Sequence, residues 1–119
     1  MSLLAEALPL SWEANDFRLV AGGLEELAWC AMAAGQHRQA ARLLGAFRAL
    51  YTRMAFADEP ILAAQRERFL TTAQEALGPT EFAEAWADGQ HLPIEAAISE
   101  ALALTDTLAH NSIQASGLG

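Results

Sequence analysis

Residues 17–55 read FRLVAGGLEELAWCAMAAGQHRQAARLLGAFRALYTRMA, and this stretch decides the fold. Phe17, Val20, Leu24, Leu27, Ala31 and Ala34 fall three and four positions apart, the spacing that lines side chains along one stripe of an α-helix. Gly35 interrupts the pattern, as a glycine just past a helix end does. The spacing then resumes with Ala40, Leu44, Phe47, Tyr51 and Met54, and Leu43 and Leu50 widen it into a helix buried on two sides. Two helices, over about 16–34 and 37–55, are predicted. A link of one or two residues makes them antiparallel neighbours.

The remaining sequence has the same texture. After a loop over 56–59, Pro60 suits the first turn of a third helix, which spans about 60–77, buries Leu62, Phe69, Ala73 and Ala76, and closes at Gly78. A fourth helix over about 79–88 groups Phe82, Ala85 and Trp86 and ends at Gly89. A fifth starts near Pro93 and carries Ile94, Ala97, Ile98, Ala101, Leu102 and Leu108 to about residue 109. Residues 1–10 read as a short apolar helical piece that stops at Pro9. Composition agrees, since 27 alanines and 18 leucines face one valine and four isoleucines, a balance that favours helix over strand. The expected fold is all-α, an antiparallel helix-pair array of about five helices. It forms one domain over 1–109, followed by a flexible tail over 110–119.

Charge and composition exclude several function classes. Fifteen Asp and Glu oppose seven arginines and no lysine, for a net charge of −8, so duplex nucleic acid and anionic membranes meet repulsion on average. Arg38, Arg42, Arg48 and Arg53 are spread along one helix, and Arg66 and Arg68 flank Glu67, the pattern of solvated, salt-bridged faces. No apolar run approaches the roughly 20 residues of a membrane span. No basic stretch precedes an apolar one at the N-terminus, so no secretory leader is predicted. Cys30 stands alone, which precludes an internal disulfide and makes the cytoplasm the default compartment.

Catalytic constellations are missing from the sequence. Gly22-Gly23 lies within a helix pattern and lacks the lysine and hydroxyl of a phosphate loop. His37, His91 and His110 have no second ligand at metal spacing, and Cys30 reads as a buried, inert thiol. The acid pairs Glu25-Glu26 and Asp58-Glu59 read as a solvated face and a loop. No catalytic residue, metal or cofactor is therefore predicted. One feature stands apart from the core pattern. Trp29 projects nearly opposite the buried stripe of its helix, with Met32 and Glu25 about one turn away on either side. Glu25, Trp29 and Met32 form a candidate interaction face, because an aromatic beside methionine is a typical binding anchor. The alternative is that Leu4, Leu8 or Trp12 of the same chain covers it.

Residues 23–51 resemble one tetratricopeptide-type repeat. Leu24, Leu27 and small Ala28 come first, Gly35 forms the turn, and small Ala40 with Leu44 follows, so that the helices can cross closely. Ala31 stands where a large aromatic is usual, and the closing proline is missing. Leu70, Leu77, Gly78 and Ala83 echo Leu27, Ala34, Gly35 and Ala40 at a distance of 43 residues. A closer resemblance covers about 31–104. The run GQHRQAARLLGA from Gly35 to Ala46, then Ala76-Leu77-Gly78, FAEAWADG from Phe82 to Gly89 and LPIEAA from Leu92 to Ala97 are similar to the C-terminal helical arrays of large bacterial regulators. These are multidomain signal-transduction ATPases, including LuxR-type and AfsR-type transcriptional regulators. Pro93 replaces a frequent serine cap, and Phe47 a small residue.

The resemblance implies a scaffold or sensor segment without enzymatic activity. Its partner would be a protein or another domain of the longer regulator, while nucleotide-binding and DNA-binding modules would lie elsewhere in that polypeptide. The alternative is a stand-alone small-molecule sensor or homodimerisation module. Because repeats bury apolar surface on their neighbours, an uncovered Trp29 face is expected to form a homodimer at high concentration.

Overall fold

The computed structural model describes the backbone of residues 2–55 and 60–118 and the side chains of residues 7–55 and 62–108. The chain order is α1 (Ser2–Glu13), α2 (Phe17–Ala33), α3 (His37–Arg53), α4 (Pro60–Leu77), α5 (Pro79–His91) and α6 (Ile94–Leu118). No strand occurs among the described residues, and the fold is all-α. Helices α2–α6 are the five that periodicity predicts; the N-terminal piece is a sixth. The loop at 56–59 and the acid pair Asp58-Glu59 lie outside the described residues, as do the side chains of Leu4 and His110.

The predicted boundaries at the two ends of the chain are corrected. α1 runs through Pro9 to Glu13 instead of stopping there. Proline inside a helix removes one backbone bond, but Leu8 and Ser11 on either side are buried, and α1 packs on α2 and α6. Tertiary burial outweighs the local penalty. Asn15, at φ 58°, then ends the segment, with its N–H donating to Trp12 O and that of Asp16 to Ser11 O. At the other end, α6 continues in helical geometry to Leu118, nine residues beyond the expected stop.

Local chemistry sets the α2–α3 hairpin. The Asp16 carboxylate accepts the Leu19 N–H at 3.2 Å, which caps one free donor at the start of α2. At its end, Gly35 adopts φ 83°, and the N–H groups of Gly35 and Gln36 donate to Met32 O and Ala31 O. This paired closure reverses the chain at once and satisfies carbonyls that the helix end would leave open.

α3 is the centre of the molecule. It contacts α2, α4, α5 and α6, and its most extensive contact is with α5. That explains why Ala41, Gly45 and Ala46 are buried as well as Ala40, Leu43, Leu44, Phe47, Leu50 and Tyr51, together well over half of the helix circumference. Met54, expected on the buried stripe, is exposed, and so is Ala76 of α4. The α3–α5 approach depends on two glycines. A Cβ placed on Gly45 would collide with the carbonyl oxygen of Trp86, and one on Gly89 with that of Arg42. Gly89 is therefore a contact residue inside α5, which continues to His91, and not the stop that its position suggests.

Candidate interaction site

Glu25, Trp29 and Met32 do share one face of α2, as their spacing requires. That face is not open. α4 meets it at two places: Arg66 pairs with Glu25, and one turn later Phe69 stacks on Trp29. Both helices use positions three or four apart, so two contacts form in register.

The first contact is a buried ion pair. Arg66 Nε donates to Glu25 Oε2 at 2.5 Å and Nη2 donates to Oε1 at 3.1 Å, with the two residues 8 % and 7 % exposed. The guanidinium also lies over two rings of α3, with Cζ 4.8 Å from the Phe47 centroid and 4.9 Å from that of Tyr51. Its pKa is raised above the ordinary arginine value, chiefly by the hydrogen bond to Glu25 and against the opposing effect of burial, with a further hydrogen bond to Tyr51. The sequence readings of Glu25 as a solvated acid and Arg66 as part of a solvated face are both corrected. A bidentate partner and two ring faces replace the water that each charge gives up.

The second contact is an aromatic stack. The Trp29 and Phe69 rings are nearly parallel, 8° apart, with centroids separated by 4.7 Å. Trp29 Nε1 is buried without a hydrogen-bond acceptor, and Met32 is buried beyond it. The expectation that this face is open is thus corrected, with Glu25 and Met32 buried and Trp29 half-buried. Arg66 and Phe69 of α4 cover Glu25 and Trp29, while α1, with Leu8 buried, also packs on α2. One edge stays accessible. Trp29 and Phe69, with Gln65, Arg68 and Thr72, line a shallow hollow of about 370 Å³.

A second polar cluster was not legible in the sequence. Arg42 on α3 donates through Nε to Glu100 Oε2 at 3.1 Å and through Nη2 to Oε1 at 2.5 Å, and its Nη1 reaches Asp88 Oδ2 at 3.3 Å. Its pKa is raised, first by the Glu100 hydrogen bond. The pairs lie 58 and 46 residues apart in sequence, far beyond any local spacing rule. This cluster ties α3 to both α5 and α6. It borders a hollow of about 390 Å³ that Gln36, Arg38, Leu43 and Thr107 also line.

The other candidate groups stay apart. Cys30 is half-buried, His91 Nδ1 donates to Ala87 O at 2.7 Å, and the described residues hold no group of three His, Cys, Asp or Glu suited to a metal ion. None of the described helices is long and apolar enough to cross a membrane. What the two polar clusters have in common is chemical: a fork of arginine donors held by a carboxylate, joining one helix to another. No family model matches this chain, and neither a curated protein nor a solved structure is significantly similar to it.

Proposed function

We propose that this chain is a non-enzymatic helical scaffold or sensor segment of a larger bacterial transcriptional regulator, acting in the cytoplasm through contacts with a protein partner or with the regulator's other domains. The observation that carries the reading is a repeated layout. α2–α3 and α4–α5 are each joined at a glycine of positive φ, Gly35 at 83° and Gly78 at 85°, and these glycines are the landmarks that repeat 43 residues apart. Successive helix pairs, each turning at a glycine, are the layout of a tetratricopeptide-like array, in which each pair buries its apolar face on the next. Such arrays work by presenting surfaces. The hollow beside Trp29 and Phe69 is a surface of that kind, with a stacked aromatic floor and polar Gln65, Arg68 and Thr72 at its rim. The decisive experiment is to sequence the transcript that encodes the chain in both directions. The expected result is an in-frame nucleotide-binding module upstream. A transcript encoding neither an ATPase nor a DNA-binding module overturns the proposal.

One observation favours a second reading, the stand-alone sensor. The hollow between α3 and α6, at about 390 Å³, falls in the size range of small-ligand sites. A metabolite that raises the thermal midpoint of the wild-type chain, and not of a variant with Arg38→Ala and Thr107→Val, would favour it over the first.

A further inference from the structure

Arg66 is held differently from a surface cation. Its guanidinium is enclosed by one carboxylate and two aromatic rings, and all three belong to the α2–α3 hairpin, whereas the arginine comes from α4. The Phe47 and Tyr51 rings lie 4.9 Å apart and tilted by 45°, so a flat cation placed beside them touches both. Arg48 Cζ lies over the same rings, at 5.9 and 5.8 Å. Two of the chain's seven arginines therefore meet at one pair of rings.

We infer that Glu25, Phe47 and Tyr51 form a guanidinium-binding site on the α2–α3 hairpin, filled from α4 by Arg66 and able to accept the same group from a separate molecule. The ligand class is the guanidinium of an arginine side chain. Two carboxylate oxygens match the two parallel N–H donors of a guanidinium fork, a match that an ammonium cannot reproduce. The ring faces attract the cation electrostatically and stack on its plane. Guanidinium is also the more weakly hydrated of the two cations, so its transfer into a buried site costs less. Without Arg66, both Glu25 carboxylate oxygens lose their donors, and this provides the drive to recruit a replacement. The inference does not depend on the regulator reading, because it concerns only groups within this chain.

The test is chemical rescue of Arg66→Ala in the full chain. Methylguanidinium chloride is titrated at millimolar, non-denaturing concentrations, with methylammonium chloride and sodium chloride as matched controls, and the thermal midpoint is recorded. The expected result is a saturable rise in Arg66→Ala, about 2 °C when methylguanidinium equals its Kd and more above it. Wild type and the Glu25→Gln/Arg66→Ala double variant should show no such rise, and methylammonium should give only a small fraction of it. A folded Arg66→Ala variant that methylguanidinium does not stabilise overturns the inference. So does equal stabilisation by methylammonium, which would mean a plain charge effect, or stabilisation that survives loss of the Glu25 carboxylate. If Arg66→Ala does not fold unaided, recovery of helical circular dichroism with methylguanidinium and not methylammonium supports the site, and no recovery with either overturns it. Arg66→Lys gives an independent check. A lysine variant as stable as wild type removes the requirement for a fork.

Discussion

α4 and α5 are fastened to the same α2–α3 hairpin by opposite kinds of residue. α5 approaches so closely that the contact is backbone against backbone, with Gly45 beneath the Trp86 carbonyl and Gly89 beneath that of Arg42. α4 stands further off, and large side chains bridge the gap: Arg66 to Glu25 and Phe69 to Trp29. The α5 contact tolerates no added atoms. The α4 contact tolerates no removal. Close packing can be achieved by leaving side chains out or by matching them, and the two solutions fail under opposite mutations.

The largest effect should come from subtraction on the α4 side. Glu25→Ala leaves the Arg66 cation enclosed by rings without a counter-charge, and losing one partner of a buried pair costs about 3–5 kcal/mol. Urea denaturation of the single variant should show a loss of that order. The double variant Glu25→Leu/Arg66→Met, which removes both charges and keeps the volume, should recover most of it. A single-variant loss below about 1 kcal/mol, in the range of exposed pairs, would mean that Arg66 escapes to water and that the α4 contact is not built on matching.

Addition on the α5 side comes next. Gly89→Ala and Gly45→Ala each force backbone to move, and overpacking of this kind costs about 1–3 kcal/mol. Both widen the same crossing, so the double variant should lose less than the sum of the two. Gly22→Ala is the control. It sits inside α2 with nothing within 4 Å of a new Cβ, so the helix preference for alanine should raise stability by about 0.5–1 kcal/mol. Equal effects at Gly22 and Gly89 would remove the distinction between the two contacts.

The two contacts also differ in how far the sequence reveals them. Apolar spacing locates α2–α6 because burial on one face leaves a periodic trace in every turn. Gly35 and Gly78 announce their turns because they are glycines. Asn15 and Ala55 also take a positive φ, at 58° and 55°, and carry no such label. Gly89 reads as a helix stop from its residue type, since nothing local distinguishes a glycine that ends a helix from one that a neighbouring helix presses upon. Trp29 was legible as a residue outside the core stripe, but its cover was not. The partners of Glu25 and Trp29 lie about 40 residues away on α4, and Arg66, set between Gln65 and Glu67, has the sequence surroundings of a solvated arginine. Periodicity tells which side of a helix is buried. It does not tell which polar residue will be buried by pairing with a distant one.

The chain enters the two helices differently as well. α5 is reached through Gly78, whose φ of 85° and ψ of 157° lie in a region open almost only to glycine, so Gly78→Ala should cost about 1–3 kcal/mol. On the α4 side, the residue that closes α3 before the chain moves on is Ala55, at φ 55°, with its N–H donating to Thr52 O. A left-handed L-residue bears a steric cost of about 1–2 kcal/mol between Cβ and the following carbonyl. Ala55→Gly removes that cost, while the freer unfolded chain takes back about 0.4–1 kcal/mol. The expected net effect is a stabilisation of about 0.5 kcal/mol, the smallest in the series and the only one in which losing a methyl helps. Ala55 is exposed, so no packing loss masks the result in a denaturation midpoint. A destabilised Ala55→Gly variant would mean that the left-handed turn after α3 is not the strained point of the α4 side, and that the asymmetry between the two contacts lies in their side chains alone.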